Sequence, residues 1–225
     1  MQSNVINPVI VLQKAMQQVY LWMTAGLMVT GAVATTLFNS GLVESLGSLM
    51  IVLFVVQIGV VFYLSARINK MAPTTATILF LVYSALTGVT LTPIFYAYSL
   101  GSIGTTFFVT AGTFASMALY GATTKRDLTG MGSMLFMALI GLVIASVVNM
   151  FLGNSLFSLV ISAVGVLIFV GMTAYDVQAL TRMANNVSSE EDTHRFAIIG
   201  ALKLYLDFIN LFIYLLRFLG TGRRD

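Results

Sequence analysis

Two aspartates lie inside long apolar stretches of this sequence, where a charged side chain is costly. Asp176 stands in VGMTAYDVQAL, and Asp207 stands in ALKLYLDFINLFIYLLRFLG, which covers residues 201–220. A carboxylate at the centre of a membrane helix costs about 3 kcal/mol to insert. Acids kept at such positions usually belong to proton or ion pathways. The two aspartates are therefore predicted to be functional residues.

The stretch around Asp207 carries a line of polar side chains on one helical face. Its members follow the spacing i, i+4, i+7, i+11, i+14 and are Lys203, Asp207, Asn210, Tyr214 and Arg217. Most of the residues between them are leucine, phenylalanine and isoleucine. Lipid does not tolerate such a polar stripe. We therefore predict that this helix lies inside the protein, with the stripe on a protein-lined interior.

A structural explanation of the same charges also stays open. Lys203 and Asp207 are four residues apart and could form an ion pair within one helix, with Lys203 reaching toward the membrane surface. Asp176 could cap backbone groups or pair with Arg182. Lysine before aspartate is the weaker order for an i,i+4 pair, which favours contacts between Asp207 and other helices.

The composition predicts the elements that position these residues. Of the 225 residues, 58% are apolar and 8% are charged, whereas soluble domains carry roughly a quarter charged residues. A spanning helix needs about 20 mostly apolar residues. Seven stretches qualify, namely 19–38, 46–66, 74–98, 103–123, 131–152, 156–180 and 197–219. We therefore predict an all-α integral membrane protein, a single bundle of seven transmembrane helices.

Shorter features define the ends of the bundle and one interruption. Residues 1–18 are too polar for a cleaved signal peptide, and we predict that they form a cytoplasmic N-terminal segment before a membrane domain at 19–219. Residues 220–225 form a short basic tail. Pro93 lies inside the third stretch and should kink that helix.

The loop cations predict the orientation of the bundle. With the N-terminus inside, the cytoplasmic cations would be Lys14, Arg67, Lys70, Lys125, Arg126, Arg182 and Arg195. The external cations would all lie at the C-terminal end, as Arg217, Arg223 and Arg224. Cytoplasmic loops normally hold the excess of lysine and arginine. We therefore predict a cytoplasmic N-terminus and an external C-terminus, with a re-entrant last segment and both ends inside as the alternative.

Four stretches carry a family resemblance. They are AYDVQAL around Asp176, LYLDFINLFIYLLRFLG around Asp207, TGVTLTPIF at 87–95 and KRDLTGMG at 125–132. In these stretches the chain resembles the Bax inhibitor-1 family, also called transmembrane Bax inhibitor motif proteins, and above all its bacterial inner-membrane members. The length and the order of the membrane segments agree too, so the resemblance covers nearly the whole chain.

The resemblance implies both an architecture and an activity. It implies a seven-helix bundle with the C-terminal helix at its centre, and a pH-sensitive leak of Ca²⁺ governed by one aspartate on each of the last two helices. On this sequence these are Asp176 and Asp207, which would also bind the passing Ca²⁺ transiently. Some members have an arginine at the end of the second helix that bonds the first of these aspartates, and Arg67 is the candidate here. No enzymatic activity and no cofactor are implied; the partners would be the lipid bilayer, protons and Ca²⁺.

The physical chemistry of two buried acids agrees with this implied role. Two carboxylates in a low-dielectric interior cannot both ionise cheaply, so the pair should share one proton. A shared proton would lock the two helices together. Loss of that proton would add charge repulsion between them and leave oxygen ligands of the kind that Ca²⁺ prefers.

Other functions fit parts of the sequence. Some bacterial relatives are described as modulators of a membrane-bound AAA protease, and residues 1–18 would then be the segment that the partner engages. Tyr175-Asp176 also matches half of the motif of intramembrane aspartyl proteases, but the second motif, Gly-x-Gly-Asp, reads LYLD at 204–207. Lys203 stands where a retinal protein has its lysine, yet the chain has only one tryptophan. The absence of a basic stretch with interleaved aromatic residues argues against nucleic acid as a partner.

Overall fold

The computed structural model describes residues 8–47, 49–185 and 189–223. Within these ranges seven helices are long and apolar enough to cross a membrane. The all-α fold and the seven spans predicted from the sequence are thereby confirmed.

The helices follow one another through short connections. Their bounds are α1 Pro8–Ser40, α2 Leu42–Leu46, α3 Leu49–Arg67, a 3₁₀ turn Ile68–Lys70, α4 Pro73–Leu91, α5 Ile94–Ala97, α6 Leu100–Thr123, α7 Thr129–Leu152, α8 Ser155–Ala184 and α9 Glu190–Leu219. The short α5 completes the third span, which runs from Pro73 to Ala97.

The first helix is longer than the sequence predicted. It begins at Pro8, whereas we placed the start of the first membrane segment at residue 19. Lys14 is exposed, while Ala15 and Val19 are buried. An amphipathic stretch therefore extends the helix beyond its apolar part. Most of the predicted N-terminal segment is helical.

Pro93 interrupts the third span, as predicted. Proline has no amide hydrogen, so Pro93 cannot donate to the carbonyl four residues before it. The chain continues through tighter hydrogen bonds, from the Phe95 amide to the Thr92 carbonyl at 3.0 Å and from the Tyr96 amide to the Pro93 carbonyl at 3.1 Å. Helix α4 therefore ends at Leu91, and α5 resumes at Ile94.

The chain divides into two compact units, and both α8 and α9 contribute residues to each. The first unit comprises Met1–Tyr96 and Thr181–Tyr205, and the second comprises Ala97–Leu180 and Leu206–Asp225. In α9, 67% of the most apolar window is buried, against at most 33% in the other spans described. A central position for α9 stays a prediction, which this burial supports.

Neutral polar side chains join the helices of the first unit. Thr30 of α1 directs its single hydroxyl proton at the carbonyls of Gly26 and Ser84, so the Tyr205 hydroxyl of α9 donates to Thr30 Oγ1 at 2.6 Å. Gln57 of α3 donates to the Thr87 hydroxyl at 3.0 Å and accepts from the Thr90 hydroxyl at 2.8 Å. Hydrogen bonds of this kind hold membrane helices together where the hydrophobic effect between helices is weak.

Aromatic rings define the direction of the helices in the second unit. Phe107 of α6 contacts Phe212 of α9, with ring centroids 6.5 Å apart, and Phe114 contacts Phe208 at 5.5 Å. Moving forward along α6 therefore means moving backward along α9. The two helices are antiparallel, and the start of α6 lies beside the end of α9.

Candidate functional site

A stacked pair of rings joins α8 to α9 within the second unit. The Phe169 ring of α8 lies 5.8 Å from the Tyr214 ring of α9, at an interplanar angle of 22°. Gly165, one turn earlier in α8, makes room for Tyr214, because a Cβ atom there would lie 2.6 Å from the tyrosine ring. The Tyr214 ring therefore lies against α8 between Gly165 and Phe169.

This contact fixes the register of the two aspartates. Asp176 is seven residues after Phe169, and Asp207 is seven residues before Tyr214. Seven residues are about two helical turns, so each aspartate lies on the same helical face as its ring. If the consecutive helices α8 and α9 run antiparallel, as their short connection implies, the two aspartates are expected on facing sides of the helices, level to within about one turn.

Both aspartates are buried. Asp176 is 2% exposed and Asp207 is 3% exposed. The sequence placed Asp176 only about four residues from the end of its helix, but α8 continues to Ala184. The extension gives Asp176 eight helical residues on its C-terminal side.

The rest of the predicted polar stripe is not uniformly interior. Lys203 and Arg217 are exposed. Asn210 donates to the Leu206 carbonyl of its own helix at 2.8 Å, and Tyr214 lies between Phe169 and the Arg217 guanidinium, whose central carbon is 6.0 Å from the tyrosine ring centroid. The stripe thus has exposed charged ends and a middle in which Asp207 is buried and Asn210 and Tyr214 are partly buried.

Arg67 lies at the end of α3 and is exposed. It belongs to the first unit, while Asp176 belongs to the second. Its role as a counter-charge for Asp176 stays a prediction.

Gln178 of α8 is a residue that the sequence analysis missed, and it bonds the stretch that connects α6 to α7. Gln178 is buried; its Nε2 donates to the Arg126 carbonyl at 2.8 Å, and its Oε1 accepts from the Leu128 amide at 2.9 Å. The amide thereby fastens the KRDLTGMG stretch to the helix that carries Asp176. A glutamine inside an apolar helix was the available signal, since lipid rarely accommodates an amide.

Tyr205, two residues before Asp207, is a second residue that the sequence analysis missed. It is fully buried, and its hydroxyl bonds Thr30. Its ring also contacts Phe80 and Tyr83 edge to face, at 5.7 and 6.0 Å. Tyrosine is frequent in membrane helices, so the sequence alone did not distinguish it from a residue at the lipid interface.

The two aspartates by themselves offer few ligands to a metal ion. Within residues 8–47, 49–185 and 189–223, no three metal-ligating side chains of the His, Cys, Asp and Glu types come together. Two carboxylates provide at most four oxygens, whereas Ca²⁺ takes six to eight. A Ca²⁺ ion at the pair would keep water in its coordination shell, which suits a passing ion better than a resident one.

Several proteins match this chain over nearly its full length. Residues 12–224 match the family described as inhibitor of apoptosis-promoting Bax1. The chain is 47% identical to inner membrane protein YbhL of Escherichia coli K12. The alignment is 227 residues long and covers 98% of this chain and 97% of that protein. An uncharacterized protein of Borreliella burgdorferi is 45% identical, with 96% of each chain covered. An uncharacterized protein of Deinococcus radiodurans is 44% identical over 92% of this chain and 90% of its own.

These matches extend over nearly the whole chain, which has seven helices long and apolar enough to cross a membrane in its described residues. The protein is a multi-pass membrane protein that belongs to the Bax inhibitor-1 family.

Proposed function

We propose that this protein is a proton-gated cation leak of the inner membrane, with Asp176 and Asp207 as the gate. One observation carries the proposal: two acids inside membrane helices are each about 97% buried. The Phe169–Tyr214 contact supports a placement of the two acids on facing sides of α8 and α9. Intramembrane acids in this arrangement commonly belong to proton or ion pathways.

The gate works through the shared proton. At lower pH one proton lies between the two carboxylates, and the hydrogen bond it makes draws α8 and α9 together. At higher pH the proton leaves, both carboxylates are charged in a low-dielectric interior, and their repulsion separates the helices. Cation flux therefore rises as the pH rises through the titration of the pair.

The same two groups provide the transient ligands for the ion. When they are charged they offer hard oxygen atoms, which is the chemistry that Ca²⁺ prefers. The ion remains cargo throughout, with water as its other ligands. Ca²⁺ is proposed as the conducted ion on the strength of the family resemblance.

The orientation is part of the proposal, with the N-terminus in the cytoplasm and the C-terminus outside. The Escherichia coli relative is named an inner membrane protein, and the cation counts of the loops favour this direction. A reporter that is active only in the cytoplasm should be silent when fused after Asp225. A strong signal would instead favour a re-entrant last segment.

We propose no hydrolytic activity for the pair. An aspartyl protease needs an activated water and a substrate peptide between its carboxylates, and the second aspartate here lacks the glycine motif of those enzymes. Modulation of an AAA protease is compatible with a leak and predicts co-purification of the two proteins. It would be favoured over the leak if purified protein gave no ion flux.

Purified protein in liposomes tests the proposal. The wild type should release Ca²⁺ at a rate that rises with pH, and Asp176→Asn should remove most of that dependence, because asparagine cannot ionise. Asp127→Asn is the matched control, since Asp127 lies in an exposed turn where its carboxylate accepts from the Thr129 amide and hydroxyl. A wild type without pH-dependent flux contradicts the function.

A further inference from the structure

The second unit contains an open cavity at the end where α6 begins and α9 finishes. Its volume is about 290 Å³, and four of its lining residues carry hydroxyl groups: Ser102, Thr105, Thr106 and Thr221. Gly101, Val109 and Leu219 complete the lining. The predicted orientation puts this cavity on the external side of the membrane.

The C-terminal segment forms one wall of the cavity and is fixed in place. The Thr221 amide donates to the Ser102 hydroxyl at 3.0 Å, and the Ser99 amide donates to the Thr221 carbonyl at 3.3 Å. The Arg223 amide donates to the Ala97 carbonyl at 3.1 Å. These bonds hold the segment after α9 against the start of α6, so the cavity is built from ordered backbone.

Thr106 distinguishes this cavity from an ordinary surface depression. Thr106 is 2% exposed, and its side chain makes no hydrogen bond within the part of the chain that the structure describes. Thr110, Thr113 and Thr123 of the same helix each donate to the carbonyl four residues earlier. The hydroxyl of an otherwise buried residue that lines a cavity and makes no such bond can bind water or a cation that enters the cavity.

The buried face of α6 continues from this cavity toward Asp207. Thr110 lies one turn beyond Thr106 and is fully buried, and Phe114 lies one turn further and contacts Phe208, the residue after Asp207. Thr106 and Thr110 therefore lie between the cavity and the level of Asp207. At that level the Phe114 and Phe208 rings are in contact. Thr106, Thr110 and Phe114 all belong to α6, and Phe208 lies in the same unit.

We propose that the cavity is the entrance through which hydrated cations reach the Asp176–Asp207 pair, with Thr106 as the first oxygen ligand and Thr110 as the second. This proposal rests on the proposed function and adds the path by which cations reach the gate. The Phe114–Phe208 contact is the dry barrier between the entrance and the gate. Neutral hydroxyls suit this task, since they bind a cation too weakly to hold it.

The chain has no cysteine, which permits a direct accessibility test. Thr106→Cys in lipid nanodiscs should react with a cationic, membrane-impermeant thiol reagent, because the thiolate forms only where water enters. Ser116→Cys is the matched control: Ser116 is on the same helix, is exposed in the middle of the span, and donates to the Gly112 carbonyl at 2.8 Å. It should stay unmodified, as a lipid-facing residue.

Flux through liposomes then tests the route itself. Modification of Thr106→Cys should lower cation flux at least fivefold, and Thr110→Val should lower it at every pH without moving the pH midpoint. Ser116→Ala should behave as the wild type. Ser102→Cys is a second entrance variant should Thr106→Cys fold poorly.

These experiments distinguish a failure of the proposed entrance from a failure of the proposed function. A Thr106→Cys or Ser102→Cys protein that does not react, or that reacts with no loss of flux, overturns the entrance while the wild type still shows pH-dependent flux. An absence of pH-dependent flux in the wild type itself overturns the proposed function, and the entrance with it.

Discussion

The two units keep polar groups in their interiors in different chemical forms. In the first unit the polar groups described above are neutral. Thr30 is hydrogen-bonded to Tyr205, and Gln57 is hydrogen-bonded to Thr87. In the second unit the buried polar groups include two carboxylic acids, Asp176 and Asp207. Neutral donor and acceptor pairs hold helices together at any physiological pH, whereas buried acids make the packing depend on protons.

The two halves of α9 therefore have different roles. Its first half is bonded to α1 through Tyr205, and its second half carries Asp207 and the Tyr214 ring that contacts α8. A substitution in the first half should change stability and leave the pH response intact. A substitution at the gate in the second half should do the reverse.

Gly165→Ala should have the largest effect on stability. The added Cβ would lie 2.6 Å from the Tyr214 ring, so the ring contact that sets the register of α8 and α9 must shift. We expect a loss of about 1–3 kcal/mol in the free energy of unfolding and a weaker pH response of flux. Thermal unfolding in detergent measures the first effect.

Gly141→Ala in α7 is the control for this substitution, because nothing lies within 4 Å of the position its Cβ would take. Helix propensity should make the control neutral or slightly stabilising. Equal stability of the two variants would contradict the idea that Tyr214 needs Gly165.

Tyr205→Phe should have an intermediate effect that is confined to stability. The change keeps the ring and removes the hydrogen bond to Thr30, which should lower the free energy of unfolding by about 1 kcal/mol. Thr30→Val should cost more, because it also removes the bonds to the Gly26 and Ser84 carbonyls, and the double variant should cost less than the sum of the two single changes, since they share the Thr30–Tyr205 bond. A displaced pH midpoint of flux would show that the neutral network is part of the gate.

Lys203→Met should have the smallest effect. Lys203 is exposed although it is four residues before the buried Asp207, and its long side chain can carry the ammonium group toward the membrane surface and away from that carboxylate. The pH midpoint of flux should stay within about 0.3 units of the wild type, which corresponds to less than about 0.5 kcal/mol. A large displacement would mean that Lys203 and Asp207 titrate together.

Much of this architecture could be predicted from local sequence, and the reasons are specific. The seven spans follow from apolar run length, the break at Pro93 from the missing amide hydrogen, and the burial of Asp207 from its place on a helix with apolar neighbours. The Ser189-x-x-Asp192 spacing likewise predicts a helix start. The structure shows that cap, with the Asp192 amide donating to the Ser189 hydroxyl at 3.0 Å.

The features that escaped prediction depend on contacts between distant parts of the chain. The register of Asp176 against Asp207 follows from the Tyr214 ring lying between Gly165 and Phe169, and no periodicity within one helix specifies that partner. The start of α1 at Pro8 also escaped, because amphipathic turns outside the lipid lack the apolar run on which the span prediction depends. The cavity beside Thr106 needs the C-terminal segment as a wall, which only the fold provides.

The most direct test of the central claim is the pH dependence of Ca²⁺ flux in Asp176→Asn, Asp207→Asn and the double variant. If the two acids share one proton, each single substitution removes the repulsion that deprotonation creates. Each should therefore flatten the pH profile, and the double variant should flatten it little further, because the groups act as one unit. Basal flux can change in either direction, since asparagine keeps the shape of the acid. A single variant whose flux still follows the wild-type pH profile would contradict the shared-proton gate.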